Sequence, residues 1–327
     1  SSTAGHPEYG ELKGIETTTG PLSQGLSNGI GFAIAEKKLS STLGEDTINH
    51  HTYIFAGDGC LMEGLSHEAC SLAGHLRLNK LIVFFDDNSI SIDGPVSLSS
   101  SDDVSLRFKS YNWNVLKIDG HNHDEIDNAI VQAKTSDKPT LICCKTKIGF
   151  GSPNKESKSS SHGSPLGQEE IKYTRKNLNW DHDEFVIPED LFSEWRNFAS
   201  RNANTKKNWQ DKNKDFLKSD KFKNFFKTNL DPNTKTEIID FKTLYSNDET
   251  KYATRKASEK ALELLNKHIK NFIGGSADLT GSNNTKTSEM SIFNADNYEG
   301  SYIYYGIREH AMAGVMNGLA LHGGIRT

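Results

Sequence analysis

The sequence predicts an α/β protein in which parallel sheets are covered by helices. Short apolar runs alternate with segments of helical periodicity along most of the 327 residues, as in chains built from β-α-β units. Some runs, such as LIVFF at 81–85, are apolar at every position, which is typical of strands buried on both faces. A chain of this length can bury a sizeable core and suggests two domains.

The first half of the chain carries most of the predicted elements. A helix is expected behind Pro21, which is a favourable early helix position, because apolar residues then recur at helical spacing. Gly25 and Gly29 lie four residues apart in this helix and are expected to let another backbone approach it. The elements expected next are strand 52–56, helix 62–76, strand 81–85, strand 115–118, helix 124–134 and strand 141–144.

The composition shifts between 193 and 235 to Lys, Asn and Asp with scattered Trp and Phe. Mixed charges and aromatics can indicate RNA binding, but acidic residues interrupt every basic run. We therefore interpret this segment as a solvated connector whose helices pack a few aromatics onto a domain surface. The elements expected after it are helix 249–268, strand 272–273, strand 302–305 and helix 308–321. The predicted division is a domain at 1–192, a connector at 193–235 and a second domain at 236–327.

Charge and composition exclude several function classes. The net charge of −5 and the pI of about 6.2 argue against nucleic-acid binding. No stretch approaches the roughly 18 to 20 apolar residues of a membrane span, and no signal peptide opens the chain. The four cysteines form no CxxC pair, so we expect reduced thiols rather than a zinc site or a disulfide framework. A soluble cytoplasmic protein is the simplest interpretation.

Polar residues follow two of the predicted strands at the point where each strand ends. Asp58 lies between two glycines after strand 52–56, and Asn88 follows strand 81–85. Ligands of parallel sheets bind beyond these carboxyl ends, and carboxylate and amide oxygens suit Mg²⁺ or Ca²⁺ better than zinc. Singly, Asp58 is more often a helix cap and Asn88 a turn residue, and these alternatives stay open. As a pair, they favour a metal–phosphate site.

Motifs spread over nearly the whole chain resemble those of the transketolase family of thiamine-diphosphate-dependent enzymes. The GDG at 57–59 followed by DN at 87–88 is similar to the cofactor motif of thiamine-diphosphate enzymes. The further motifs, in the family's order, are GHPE (5–8), TTTGPLSQG (17–25), AGDGCLMEG (56–64), GGSADLTGSN (274–283) and YGIREHAM (305–312). The resemblance implies the thiamine-diphosphate-binding fold, with a diphosphate-binding domain followed by the beginning of a pyrimidine-binding domain.

The resemblance also implies a cofactor site. Asp58, Asn88 and the main-chain carbonyl of Ile90 would hold Mg²⁺, or Ca²⁺ or Mn²⁺ as a substitute, against the diphosphate of thiamine diphosphate. Gly59 would contact the diphosphate. The residues implied to line the pocket around the cofactor rings are Gly20, Leu22 and Asp278.

Glu309 is the residue on which the implied catalysis depends. In the family, this glutamate hydrogen-bonds the aminopyrimidine ring and favours the tautomer that removes the thiazolium C2 proton, which produces the ylid. Because Glu309 opens a helix directly after an apolar strand, we expect a buried carboxyl that is protonated or strongly paired. Without the motif, a first-turn carboxylate stabilised by the helix dipole would be the preferred interpretation.

The resemblance implies roles for five other side chains. His6 and His162 would be active-site histidines near the reacting carbon or the diphosphate, where they position substrate hydroxyls and shuttle protons. Arg255 and Ser282 would bind the substrate phosphate, and Glu63 would help to link paired active sites across a dimer. Taken alone, each of these residues can be an ordinary loop, turn or helix-surface residue.

The implied activity is reversible transfer of a two-carbon ketol unit from a ketose phosphate to an aldose phosphate, as in the pentose phosphate pathway. The implied assembly is a homodimer whose active sites are shared between subunits, with sugar phosphates as substrates. Another thiamine-diphosphate enzyme, such as dihydroxyacetone synthase, and a non-catalytic dimerising relative remain alternatives.

Both ends of the sequence are expected to be internal to a longer protein. The chain has no starting methionine, and family residues expected before Ser1 and after Thr327 are absent. We therefore expect the 327-residue chain alone to be inactive or nearly so. Within the motifs, Ser23 stands where the family usually has glycine.

Overall fold

Four parallel strands form the predicted main sheet, in the order β1-β2-β6-β5. The computed structural model of the chain describes residues 5–226, 230 and 232–327. The strands are Thr52–Gly57 (β1), Leu81–Asp87 (β2), Ile90–Ser91 (β3), Gly94–Pro95 (β4), Asn114–Asp119 (β5), Thr140–Lys145 (β6), Gly274–Ser276 (β7) and Tyr302–Tyr304 (β8). The four predicted strands of the first unit are thus confirmed, each with ends extended by at most two residues.

The α-helices surround this sheet and continue through the connector into the second unit. They are Gln24–Leu43 (α1), Asp58–Met62 (α2), Gly64–His75 (α3), Val104–Ser110 (α4), His123–Lys134 (α5), Gln168–Asn177 (α6), Glu189–Lys212 (α7), Lys214–Lys218 (α8), Asp220–Phe226 (α9), Pro232–Ser246 (α10), Thr254–His268 (α11), Thr280–Asn283 (α12) and Glu309–His322 (α13). Among the described residues, no helix combines the length and the apolar character needed to cross a membrane.

The register of the sheet aligns its carboxyl ends. Gly57 of β1 pairs with Asp86 of β2, and Asp87 pairs with Lys145 of β6, all in parallel. The residues that follow these strands therefore meet at one edge of the sheet, and this is the edge where the sequence predicts a site.

The helix predicted over 62–76 is confirmed as α3, Gly64–His75, but the short helix α2 before it was not predicted. Two helices, α2 and α3, meet at Glu63, whose backbone is extended with φ −60° and ψ 138°. This extended residue interrupts the helical hydrogen bonds, so α2 is a separate short helix that begins at Asp58. Asp58 and Gly59 are the first two residues of α2, which follows β1 directly.

The second unit is built around β7 and β8, which pair in parallel. The strand predicted at 272–273 is displaced to Gly274–Ser276, and Phe272 forms only an isolated bridge with Arg326. The helix predicted from 249 begins at Thr254. The strand predicted at 302–305 and the helix predicted at 308–321 are confirmed to within one residue at each end.

The two units share one core. A single buried cluster contains Leu26 and Ile34 of α1, Val83 of β2, and Val315 and Leu319 of α13. In the connector, α7 has no buried residue, although its Trp209 indole donates a hydrogen bond to the Thr47 carbonyl at 2.9 Å. The domain boundaries at 192 and 235 stay a prediction.

Close backbone approach brings α1 and α13 together. The expectation that Gly25 and Gly29 provide it is wrong, because a Cβ at either position would meet side chains, those of Thr19 and Ile54. The backbones meet at Gly31 and Gly318 instead. A Cβ at Gly31 would overlap the carbonyl of Val315 in α13, and one at Gly318 would overlap that of Asn28 in α1.

Replacing Gly318 by alanine is therefore expected to destabilise the chain by about 1–3 kcal/mol, because the two helices must separate to admit the methyl group. Gly281→Ala is the matched control, since nothing lies within 4 Å of a Cβ there and Gly281 is also helical. Denaturant unfolding of both variants measures the difference. Equal stability of the two variants would contradict the close approach.

Candidate active site

Asp58 lies at the carboxyl edge of the sheet as the first residue of α2. Its carboxylate is half-buried, and its Oδ2 is buried without a hydrogen-bond partner among the described residues. Burial, followed by the nearby charge of Asp87, raises the pKa of Asp58 to about 6. The charged form is thus poorly compensated in the free chain.

Asn88 lies in the turn that follows β2. Its Oδ1 accepts a hydrogen bond from the Ile90 backbone N–H at 2.9 Å, and its Nδ2 donates to Asp86 Oδ2 at 3.2 Å. Ser89, between Asn88 and Ile90, has a left-handed φ of 62°. The turn leads into a short antiparallel hairpin of β3 and β4, which begins at Ile90.

Basic side chains lie beside these acidic ones. The ammonium group of Lys145 is 3.2 Å from Asp87 Oδ1 and 2.7 Å from Ser89 Oγ. A cavity of about 610 Å³ here is lined by Asp58, Asp87, Lys117 and Lys145, and a larger one of about 780 Å³ is lined by Gly20 and Leu22. Carboxylates and ammonium groups therefore line one cavity at the carboxyl edge of the sheet.

This set of groups fits a hard divalent cation. Among the described residues, no three His, Cys, Asp or Glu side chains are grouped so that they could hold a metal ion. One carboxylate, one amide oxygen and one main-chain carbonyl leave several positions for phosphate oxygens and water, which is how Mg²⁺ is commonly bound. A cation would also give Asp58 Oδ2 a partner, which it lacks among the described residues, so these residues fit the predicted metal.

A loop before α1 reaches the same region. Leu22 packs on Gly59, since a Cβ added at Gly59 would lie 3.2 Å from Leu22 Cδ1. The His6 ring lies over Gly20, which has a φ of 129°, and a Cβ there would be 2.9 Å from His6 Cδ2. The structure thus brings four predicted site residues together: His6, Gly20, Leu22 and Gly59.

Ser23 explains why glycine is usual at its position. Its φ is 65°, in the left-handed region that costs a non-glycine residue roughly 1 kcal/mol or more. The side chain is 2% exposed, and its hydroxyl donates a hydrogen bond to the Cys60 carbonyl of α2. The serine therefore ties the loop before α1 to the helix that carries Asp58.

Glu309 is exposed in this chain, and the expectation of a buried carboxyl is wrong for it. It is the first residue of α13, whose start is held by contacts from the first unit. Glu68 of α3 accepts a hydrogen bond from the Ala311 N–H at 2.9 Å, and Arg308 donates to Ser71 Oγ at 3.1 Å. The backbone at Glu309 is thus anchored, while its side chain is open to solvent.

The other predicted site residues are also exposed. Asp278 follows β7 with a left-handed φ of 61°, and Ser282 lies in the short helix α12. Arg255 lies in the first turn of α11, Glu63 at the break between α2 and α3, and His162 directly after a turn of 3₁₀ helix. Within the single chain, the structure does not enclose these side chains in one site.

Comparisons with known proteins show the family to which the chain belongs. The family model described as the transketolase thiamine diphosphate binding domain matches residues 1–231, and that of the transketolase pyrimidine binding domain matches 250–327. The chain belongs to the transketolase family. The predicted thiamine-diphosphate-binding fold is thereby confirmed.

Individual transketolases match nearly the whole chain. Those of Rhodobacter capsulatus and Vibrio vulnificus (transketolase 2) are 47% and 48% identical over 99% of the chain, which covers 48% and 50% of their lengths. The transketolase structure from Leishmania mexicana has a TM-score of 0.90 at 36% identity, covering 99% of this chain and 49% of that one. A Pichia stipitis transketolase in complex with sedoheptulose-7-phosphate has the same TM-score and identity, over 99% and 50% of the two chains. The chain therefore spans about half the length of these transketolases.

Arg107 supports the cofactor-binding part of this transketolase domain without belonging to any of the motifs. Its guanidinium, on α4, donates to the Leu61 carbonyl at 2.9 Å and contacts His67 Nε2 at 3.1 Å. The side chain is 14% exposed, and burial followed by the nearby guanidinium lowers the pKa of His67. No sequence motif points to Arg107, because apart from Asp102, at 3.4 Å, the hydrogen-bond partners of its guanidinium lie on distant elements.

Replacing Arg107 by glutamine is expected to cost about 1–3 kcal/mol of stability, because the Leu61 carbonyl loses a charged donor. We also expect weaker Mg²⁺-dependent cofactor binding, since α2 carries Asp58. Lys109→Gln on the same helix is the control, because Lys109 is exposed. Thermal unfolding and cofactor titration measure both effects, and the prediction is wrong if Arg107→Gln behaves like the control.

Proposed function

We propose that this chain is the cofactor-binding part of a transketolase that transfers a two-carbon ketol unit from a ketose phosphate to an aldose phosphate. The observation that carries the proposal is the group of Asp58, Asp87, Asn88 and Lys145 at the carboxyl edge of the main sheet, which we call the strand-end cluster. Within it, Asp58 Oδ2 is buried without a partner in the described part of the chain. Membership of the transketolase family supports the same activity. The cytoplasmic location stays a prediction.

In this proposal, Asp58, Asn88 and the carbonyl of Ile90 hold Mg²⁺. Gly59 carries no side chain of its own, so that a diphosphate can approach its backbone. The ammonium group of Lys145 lies 3.2 Å from Asp87 Oδ1 and limits the mutual repulsion of these carboxylates. Thiamine diphosphate, when bound, supplies the carbanion chemistry of ketol transfer.

Glu309 would hydrogen-bond the aminopyrimidine ring, and Gly20, Leu22 and Asp278 would line the cofactor rings. The exposure of Glu309, Asp278 and Glu63 in the single chain supports a homodimer, because these side chains become useful only when another surface covers them. The site would then combine Asp58 of one subunit with Glu309 of the other.

His6 and His162 position substrate hydroxyls and move protons, and Arg255 and Ser282 bind the substrate phosphate. Sugar phosphates are the proposed substrates. The sedoheptulose-7-phosphate complex of the Pichia stipitis relative supports this class.

An assay of ketol transfer with a chain of the relatives' full length tests the proposed function. We expect activity with ketose phosphate donors and aldose phosphate acceptors, and little or no activity from the 327-residue chain alone. Preference for unphosphorylated aldehyde acceptors would favour a dihydroxyacetone synthase instead. Cofactor binding without any transfer would favour a non-catalytic relative.

A further inference from the structure

The segment 146–162, which we call the His162 loop, joins β6 to His162 without a strand or an α-helix. Hydrogen bonds between its own backbone groups nevertheless connect distant parts of the loop. The Ser157 N–H donates to the Ile148 carbonyl at 2.8 Å, the Ser152 N–H to the Gly149 carbonyl at 3.0 Å, and the His162 N–H to the Ser159 carbonyl at 2.8 Å. The loop therefore has a defined fold of its own.

One carboxylate outside the loop receives several of its donors. Glu170, on α6, is 9% exposed and accepts hydrogen bonds from the Ser152 hydroxyl, the Asn154 N–H at 2.8 Å and Asn154 Nδ2 at 2.9 Å. Ser152 is 1% exposed. These hydrogen bonds, that from Ser152 first, lower the pKa of Glu170 to about 2. A charged acceptor with three donors is a strong anchor for an irregular segment.

The contacts continue from this anchor to His162. Ser152 Oγ accepts the Lys155 N–H at 3.2 Å, and the Lys155 carbonyl accepts the Ser161 hydroxyl at 2.5 Å. Ser161 precedes His162 and also packs on Gly149, where an added Cβ would lie 2.6 Å from Ser161 Oγ. Each step is a direct contact between residues of the loop, so the position of His162 depends on the anchored turn.

We propose that Glu170 is a positioning residue, whose carboxylate folds the His162 loop and so fixes His162 at the cofactor and substrate site. The functional part of this inference rests on the role proposed above for His162. None of the motifs that identify the family contains Glu170, and its side chain contacts the loop rather than the strand-end cluster.

Hydrogen exchange of the 327-residue chain tests the anchoring directly. In Glu170→Ala, we expect the amides of the His162 loop to exchange at least about tenfold faster, because a charged hydrogen-bond acceptor is lost, while those of β1 and β2 are unchanged. Glu169→Ala is the matched control, since Glu169 is the exposed neighbour on α6 and pairs with Lys172 of the same helix at 2.6 Å. Unchanged loop exchange in folded Glu170→Ala would overturn the proposal.

Glu170→Gln keeps the test decisive if the alanine variant does not fold. Glutamine retains one acceptor oxygen but loses the charge, so we expect loop exchange between that of the unaltered chain and the tenfold increase. Loop exchange equal to that of the unaltered chain would overturn the role of the carboxylate.

A double-mutant cycle tests whether Glu170 acts through His162. We expect Glu170→Ala to weaken binding of thiamine diphosphate with Mg²⁺ by about three- to tenfold, and to have no further effect in a His162→Ala background. Losses that multiply would overturn a role through His162. If the unaltered chain binds no thiamine diphosphate, the proposed function fails, and hydrogen exchange still decides whether Glu170 anchors the loop.

Discussion

Asp58→Asn is expected to weaken Mg²⁺-dependent binding of thiamine diphosphate by about a hundredfold or more, because the metal loses its charged protein ligand. The neutral amide keeps the shape of the side chain, so packing around α2 is preserved. Calorimetric titration at fixed Mg²⁺ measures the change. Asp93→Asn is the control, since Asp93 is an exposed carboxylate in the neighbouring β3–β4 hairpin.

The same substitution is expected to raise the stability of the metal-free chain, by about 1 kcal/mol or more. The reason is that it removes a half-buried charge with an unpartnered oxygen close to Asp87. Opposite effects on stability and binding distinguish a metal ligand from a helix cap, whose loss lowers stability. Reduced stability with unchanged binding would show that Asp58 is a structural residue.

Glu309→Ala is expected to slow exchange of the cofactor C2 proton by about a hundredfold or more while cofactor binding stays measurable. The measurement requires an enzyme of the relatives' full length, in which the proposed dimer site is complete. Because Glu309 is exposed in this chain, its removal is expected to change stability by no more than the 0.3 to about 1 kcal/mol of a helix-dipole contact.

Glu289→Ala provides the comparison for Glu309, since it removes another exposed carboxylate of the second unit. It should leave both proton exchange and binding unchanged. If Glu309→Ala exchanges the C2 proton at the normal rate, the assigned role is wrong. If binding is lost completely, Glu309 acts mainly as a binding residue.

The four strands of the main sheet were predictable because each is a short, mostly apolar run between polar segments, as at 81–85. The short helix α2 was not predictable, because nothing in the local pattern of 58–63 marks a separate helix before α3. The contact between α1 and α13 was predicted at the wrong glycines. Spacing within a helix says which residues share a face, but only the fold determines which face meets another backbone.

The candidate site was predictable where its residues belong to sequence motifs, and the structure brings His6 to Gly20 and Leu22 to Gly59. Arg107 and Glu170 carried no signal, because each acts through backbone or turn atoms far away in sequence. The exposure of Glu309 was also not predictable, since burial depends on which surfaces pack around the start of α13. The roles of the predicted site residues stay predictions.

Titration of the unaltered chain with thiamine diphosphate, with and without Mg²⁺, tests the central claim most directly. We expect saturable binding that requires the metal and disappears when a chelator removes it, because Asp58 and Asn88 can hold the diphosphate only through a cation. Absence of saturable binding, or binding of equal strength without a divalent metal, would contradict the proposed site.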